Sequence, residues 1–120
     1  MGGDVITFFT SIEVLRFKTE ALVYILAEGN YSNIRMADGS NYTITMQLGQ
    51  IESRLYELSV AGNGRFIRLG KSLIVNKDFI VHIVTNRQKL VLSDCKTFRY
   101  DLNASREALK KLKEYLEQEA

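Results

Sequence analysis

The chain has 120 residues, 46% of them hydrophobic and 25% charged, with a formal net charge of +2 and one cysteine. That length suits one domain with a real core, and the composition is ordinarily globular. It contains no run of about 18 apolar residues that could span a membrane, its first residues lack the parts of a signal peptide, and the lone Cys95 excludes an internal disulfide and fits a reducing cytoplasm.

In chain order, residues 5–17 read as extended, with Val5, Ile6, Phe8, Phe9, Val14, Leu15 and Phe17 as the apolar positions. Residues 1–11 are expected to form an N-terminal extension, partly disordered or an edge strand, before a domain spanning 12–120. Residues 21–26 are a compact apolar strand, ended by the turn chemistry of Ala27-Glu28-Gly29-Asn30. Residues 31–36 and 42–45 flank Asp38-Gly39, a hairpin signal. Leu48, Ile51, Leu55 and Leu58 repeat at three and four, which predicts a short amphipathic helix. Residues 61–64 read as a loop. Strands are expected at 66–69, 73–75, 79–84, 90–92 and 97–102, with turns at 76–78, 85–88 and 93–96. Asn103 or Ser105 caps a final helix whose apolar stripe is Ala108, Leu109, Leu112, Tyr115 and Leu116. The expectation is a mainly β chain of short antiparallel sheets with one short internal helix and a C-terminal helix.

The central stretch is Arg65-Phe66-Ile67-Arg68-Leu69-Gly70-Lys71-Ser72-Leu73-Ile74-Val75-Asn76. Two apolar β-favouring runs flank a small polar step that pushes a lysine and a hydroxyl into solvent, a pair that suits a phosphate oxygen. Gly-Lys-Ser also ends a nucleotide-binding P-loop, but that motif needs a glycine five residues before Gly70 and a helix after it. Arg65 stands at that position and a strand pattern follows. Charge is concentrated nearby. Residues 1–60 hold four Lys/Arg and seven Asp/Glu, giving −3; residues 61–120 hold twelve and seven, giving +5; residues 65–99 alone hold eight and two, giving +6. Such a region is either a solvated face or an electrostatic footprint for phosphates.

No catalytic constellation stands out. His82 lies in an apolar strand without a neighbouring Cys or Glu at metal spacing. Cys95 lies in a turn where glycine is common, and Lys96 alone is thin support for a thiolate. Core packing accounts for the strand and helix tyrosines, with Tyr31 the exception because it follows the Gly29-Asn30 turn. Neither a cofactor nor a metal is expected.

Three segments in order resemble the LytTR family of DNA-binding domains. Ile25-Leu26-Ala27-Glu28-Gly29-Asn30-Tyr31 is similar to its I-E-A-x-G-N-Y strand and turn, residues 66–76 to its central F-x-R-x-H-[RK]-S-x-x-V-N block, and Ala104-Ser105-Arg106 to the segment leading into its last helix. Gly70 stands where the family often has His, and Leu26 where it has Glu. The resemblance covers about residues 12–117 and implies an elongated β-β-β fold of about ten strands. It implies the output module of a bacterial response-regulator system or a stand-alone regulator, whose loops enter successive major grooves of double-stranded DNA. Carried over by position, it implicates Tyr31, Lys71 and Arg106, with Asn30, Arg68, Ser72 and Ser105 as neighbours. The implied partners are DNA with repeated sites, a receiver domain or sensor kinase of the parent system, and a second copy on DNA. The competing expectation is a protein-interaction β-module with a basic face and no specific DNA target.

Overall fold

Alternating apolar residues and polar turns fold the chain into ten short strands, paired antiparallel throughout the described residues, which are 5–58 and 64–120 of the computed structural model. β1 (Val5–Phe9) and β2 (Val14–Lys18) form a separate hairpin. Thr10 closes it, its Oγ1 accepting from the Glu13 N–H at 3.1 Å. β3 (Leu22–Glu28), β4 (Tyr31–Met36), β5 (Asn41–Ile44), β6 (Phe66–Leu69) and β7 (Leu73–Asn76) make a five-stranded sheet in the order β5-β4-β3-β7-β6. β8 (Ile80–Val84), β9 (Lys89–Ser93) and β10 (Arg99–Asn103) make a three-stranded sheet with β9 central. Helix α1 (Leu48–Leu58) links β5 to the β6 side, and α2 (Arg106–Glu119) ends the chain. The molecule measures 42 × 36 × 28 Å.

The central sheet is covered on both faces, which is why β7 is buried at every position. One core gathers Ile6, Phe8 and Leu15 of the hairpin and Leu48, Ile51 and Leu55 of α1 against Leu22, Ile25 and Ile74. The other gathers Leu90 and Leu92 of β9 and Leu109 and Leu112 of α2 against Val23, Tyr24, Leu73 and Val75. Each fully buried aliphatic side chain contributes roughly 1.5–3 kcal/mol. A bulge in β3 makes the double use possible. The β3–β4 register shifts between Leu22 and Tyr24, so the consecutive Val23 and Tyr24 both join the second core while Leu22 and Ile25 join the first. Asn76 is fully buried beside this irregularity. Its Nδ2 donates to Leu22 O at 2.9 Å, and its Oδ1 accepts from the Asp78 N–H at 2.9 Å.

Several boundaries shift for identifiable reasons. The strand expected from residue 79 begins at Ile80, because Asn76 turns Lys77–Phe79 into a 3-10 segment. The strand expected from residue 97 begins at Arg99. Asp94 Oδ1 accepts from the N–H groups of Lys96, Thr97 and Phe98 and holds those residues in the turn. The bond from the Thr97 hydroxyl, with these amide bonds, holds the Asp94 carboxyl well below the usual range, against the opposing effect of burial. Cys95 sits in this turn at φ 63°, the left-handed region that favours glycine. His82 is on the exposed part of β8, an edge strand. The tyrosines need correcting: Tyr24 is buried, but Tyr42, Tyr56 and Tyr115 are exposed, and Tyr56 at 80% is more exposed than Tyr31 at 51%. Of the loop expected at 61–64, only Gly64 lies within the described residues, and residues 1–4 also lie outside them. No described helix is long and apolar enough to cross a membrane.

Candidate nucleic-acid interface

Antiparallel topology brings distant turns to one end of the central sheet. β3 ends and β4 begins there, at Gly29-Asn30; β6 ends and β7 begins there, at Gly70-Lys71-Ser72. The two turns are joined directly, because the Ala27 N–H donates to Ser72 O at 2.8 Å. This bond continues the β3–β7 ladder beyond the Leu26–Leu73 pair, toward Glu28 and Lys71, and Glu28 in turn pairs with Tyr31. Tyr31 and Lys71 are therefore about two strand spacings apart, on the order of 10 Å. Both are exposed, as are Asn30 and Ser72. The start of α1 lies at the same end, where Ser32 Oγ donates to Met46 O at 2.7 Å.

The central turn is held tightly for so short a loop. Gly70 supplies a φ of +67°, which a side chain would resist. Arg68 does not extend into solvent. Its Nε donates to Gly70 O at 3.2 Å, its Nη2 donates to Lys71 O at 3.2 Å, and its Nη1 meets Glu52 of α1 at 2.8 Å. Gly-Lys-Ser thus joins two strands rather than a strand and a helix, unlike a P-loop.

The third segment arrives from the other sheet. Ser105 is the N-cap of α2, its Oγ accepting from the Ala108 N–H at 3.2 Å. Arg106 follows in the first turn, exposed, with its Nη2 donating to Asn86 O at 3.4 Å. The Ala104 N–H donates to Gln88 O at 3.1 Å, so the 3-10 turn Thr85–Arg87 is fastened beside the helix start. An open groove between β6 and α2 is lined by both Gly70 and Ser105, with Leu69, Glu107 and Lys111. The structure accordingly brings the central turn, the Gly29-Asn30 turn and the α2 start to one side of the molecule.

The basic region of 65–99 does not behave as one footprint. Arg65 begins β6 at the opposite end of the sheet, where its Nε meets Asp78 at 3.1 Å and its Nη1 donates to Thr19 at 3.1 Å. Lys77 meets Glu119 at 2.6 Å, and Arg99 and Lys89 share Asp101 at 2.8 and 3.6 Å. Lys96 belongs to the β9–β10 turn, whose Asp94 and Thr97 line a cleft with Asp38 and Gly39, again at the opposite end. Close to the interface segments, Lys71, Arg87 and Arg106 have no ion pair among the described residues. Three participants escaped sequence reasoning: Glu52, Asn86 and Lys111. Nothing in the local pattern marks them, since each meets the site only through tertiary packing.

Comparison with known proteins agrees with this architecture. A solved structure from Bacillus cereus, named as the LytTr DNA-binding domain of a methyl-accepting/DNA response regulator, superposes with a TM-score of 0.63 over 96% of this chain and 98% of that one. At 20% identity this likeness establishes the fold alone. No curated protein matches. The family model described as the LytTr DNA-binding domain matches residues 13–117. That span runs from the end of the first hairpin turn to the last turn of α2 and takes in all three segments of the interface, so the chain belongs to the LytTR family of DNA-binding domains.

Proposed function

We propose that the chain binds double-stranded DNA sequence-specifically, setting the turns at one end of its central sheet and the start of α2 into major grooves, and that it acts as a bacterial transcriptional regulator in the cytoplasm. What supports this reading is that the turns beside Tyr31 and Lys71 are hydrogen-bonded together, that Gly70 and Ser105, the neighbours of Lys71 and Arg106, line one groove, and that Tyr31, Lys71 and Arg106 are all exposed. Lysine and arginine in a major groove pair with guanine O6 and N7. Tyr31 packs on a thymine methyl or donates to a phosphate. Asn30, Ser72 and Ser105 supply polar contacts around them, Arg68 of β6 adjoins the central turn, and the first-turn amides of α2 suit a phosphate. Residues 12–120 form the binding module, with β1 completing its first core.

The response-regulator setting named for the Bacillus cereus domain supports a parent system with a receiver domain or sensor kinase. Repeated sites on DNA, occupied by two copies, fit a module whose three contact segments all lie on one side. The test is selection from random duplex DNA at moderate salt, repeated with Lys71→Ala. Enrichment of a defined sequence, altered or lost in the variant, is the expected result. Weak binding that disappears as salt rises, with nothing enriched, would exclude specific recognition and leave a basic protein-interaction module.

A further inference from the structure

We infer that Arg68 is a positioning residue: together with Glu52 it clamps the central turn to α1 and so presents Lys71, and it does not itself meet a phosphate. The inference rests on the DNA-binding reading above. All three guanidinium nitrogens of Arg68 are engaged, on Glu52 Oε1 at 2.8 Å, Gly70 O at 3.2 Å and Lys71 O at 3.2 Å. A rigid planar fork serves three acceptors at once, which an ammonium on a flexible stem does not. The side chains of Arg68 and Glu52 are 30% and 45% exposed, so the pair is partly shielded from solvent.

The clamp has a counterpart on the other flank. Ser72 O accepts from the Ala27 N–H at 2.8 Å, so consecutive carbonyls of Gly70, Lys71 and Ser72 all point back into the protein. The backbone is fixed on both sides of Lys71 while its side chain stays exposed. Gly49, in the first turn of α1, packs beside the clamp: a Cβ there would lie 3.8 Å from Arg68 Nη1. An arginine committed to a carboxylate and two carbonyls offers little net charge to DNA. It sets the angle at which Lys71 leaves the sheet, and a displaced contact residue loses much of its discrimination.

The two roles predict different results at Glu52. If Arg68 contacts phosphate, removing the neighbouring carboxylate releases a cation and raises affinity for every duplex alike, so the ratio of selected to scrambled affinity is kept. If Arg68 positions Lys71, the same change lowers that ratio. The experiment titrates the selected duplex and a scrambled one with the unsubstituted chain, Glu52→Ala and Arg68→Lys across a salt series. In both variants the ratio is expected to fall roughly fivefold or more, the loss of about one base contact. A ratio that is kept in Glu52→Ala, or Arg68→Lys that matches the unsubstituted chain, overturns the clamp.

Amide resonances of the free protein supply a second readout. Those of Gly70, Lys71 and Ser72 are expected to move most in both variants, and if they stay in place the clamp is wrong whatever the DNA shows. Should the unsubstituted chain not distinguish the two duplexes, the DNA reading fails while these resonances still decide the clamp. Two variants on opposite partners keep the test open if one of them unfolds.

Discussion

Lys71 stands in a turn of the central sheet and Arg106 in the first turn of α2, yet both are exposed beside the same groove region. If each reads a base edge, replacing either with alanine should cost about 1–3 kcal/mol on the preferred duplex and relax specificity at one position. Titration against single-position variants of the selected site measures this. Asn76 acts at the same scale through folding. It is fully buried, and truncation to alanine leaves Leu22 O and the Asp78 N–H without partners, at about 1–3 kcal/mol per unmet group. Asn76→Ala should therefore lower stability by roughly 2–6 kcal/mol in denaturant unfolding. Cys95 holds the φ of 63° that its turn requires, a conformation that glycine would meet without strain.

Between elements, helix α2 is anchored at both ends by different chemistry. Its start is capped by Ser105 and tied to the Thr85–Arg87 turn. Its end is held by Lys77, which meets Glu119 at 2.6 Å and lies 5.3 Å from the centre of the Tyr115 ring. The hydrogen bond with Glu119 raises the Lys77 ammonium above its ordinary 10.5, and the bond from Lys77 lowers the Glu119 carboxyl below its ordinary 4.5. The stabilisation is thus fully present between those values. It is lost as pH falls through the lowered Glu119 value, and lost again as pH rises through the raised Lys77 value. Loosening of the last turn of α2 below about pH 4.5, followed by its backbone resonances, is expected in the native chain and absent from Glu119→Gln, which lacks the titrating group.

At the scale of the whole molecule, charge placement outweighs charge total. Residues 65–99 carry a net +6, but Arg65, Arg68, Lys77, Lys89 and Arg99 each face a carboxylate, and Lys96 lies at the far end of the sheet. The cations left on the interface side are Lys71, Arg87, Arg106 and, along the groove, Lys111. With a slope of about −0.9 per neutralised phosphate, one chain on duplex DNA should show a log affinity against log salt slope of about −3 to −4. Eight cations acting together would give about −7. Arg87→Ala should reduce the slope by about 0.9 while lowering affinity equally across sequences, which separates a phosphate contact from a base contact.

Local chemistry in the sequence determined the elements. The alternation of residues 31–36, the Asp38-Gly39 hairpin, the three-and-four repeat from Leu48 and the Ser105 cap each act over a few residues, and all reappear in the fold. The exposure of Tyr31 and Lys71 was legible for the same reason, since a turn tip faces water whatever packs behind it. Only tertiary structure decided the rest. The β3 bulge, the double burial of β7 and the exposure of Tyr42, Tyr56 and Tyr115 depend on which surfaces meet. Arg68 is the clearest case. By sequence it is one more cation near a phosphate-like turn, but Glu52, sixteen positions away on a helix, occupies its guanidinium. An ion pair of that kind has no local signature, because it is set by the distance between a strand and a helix that only the packed core brings together.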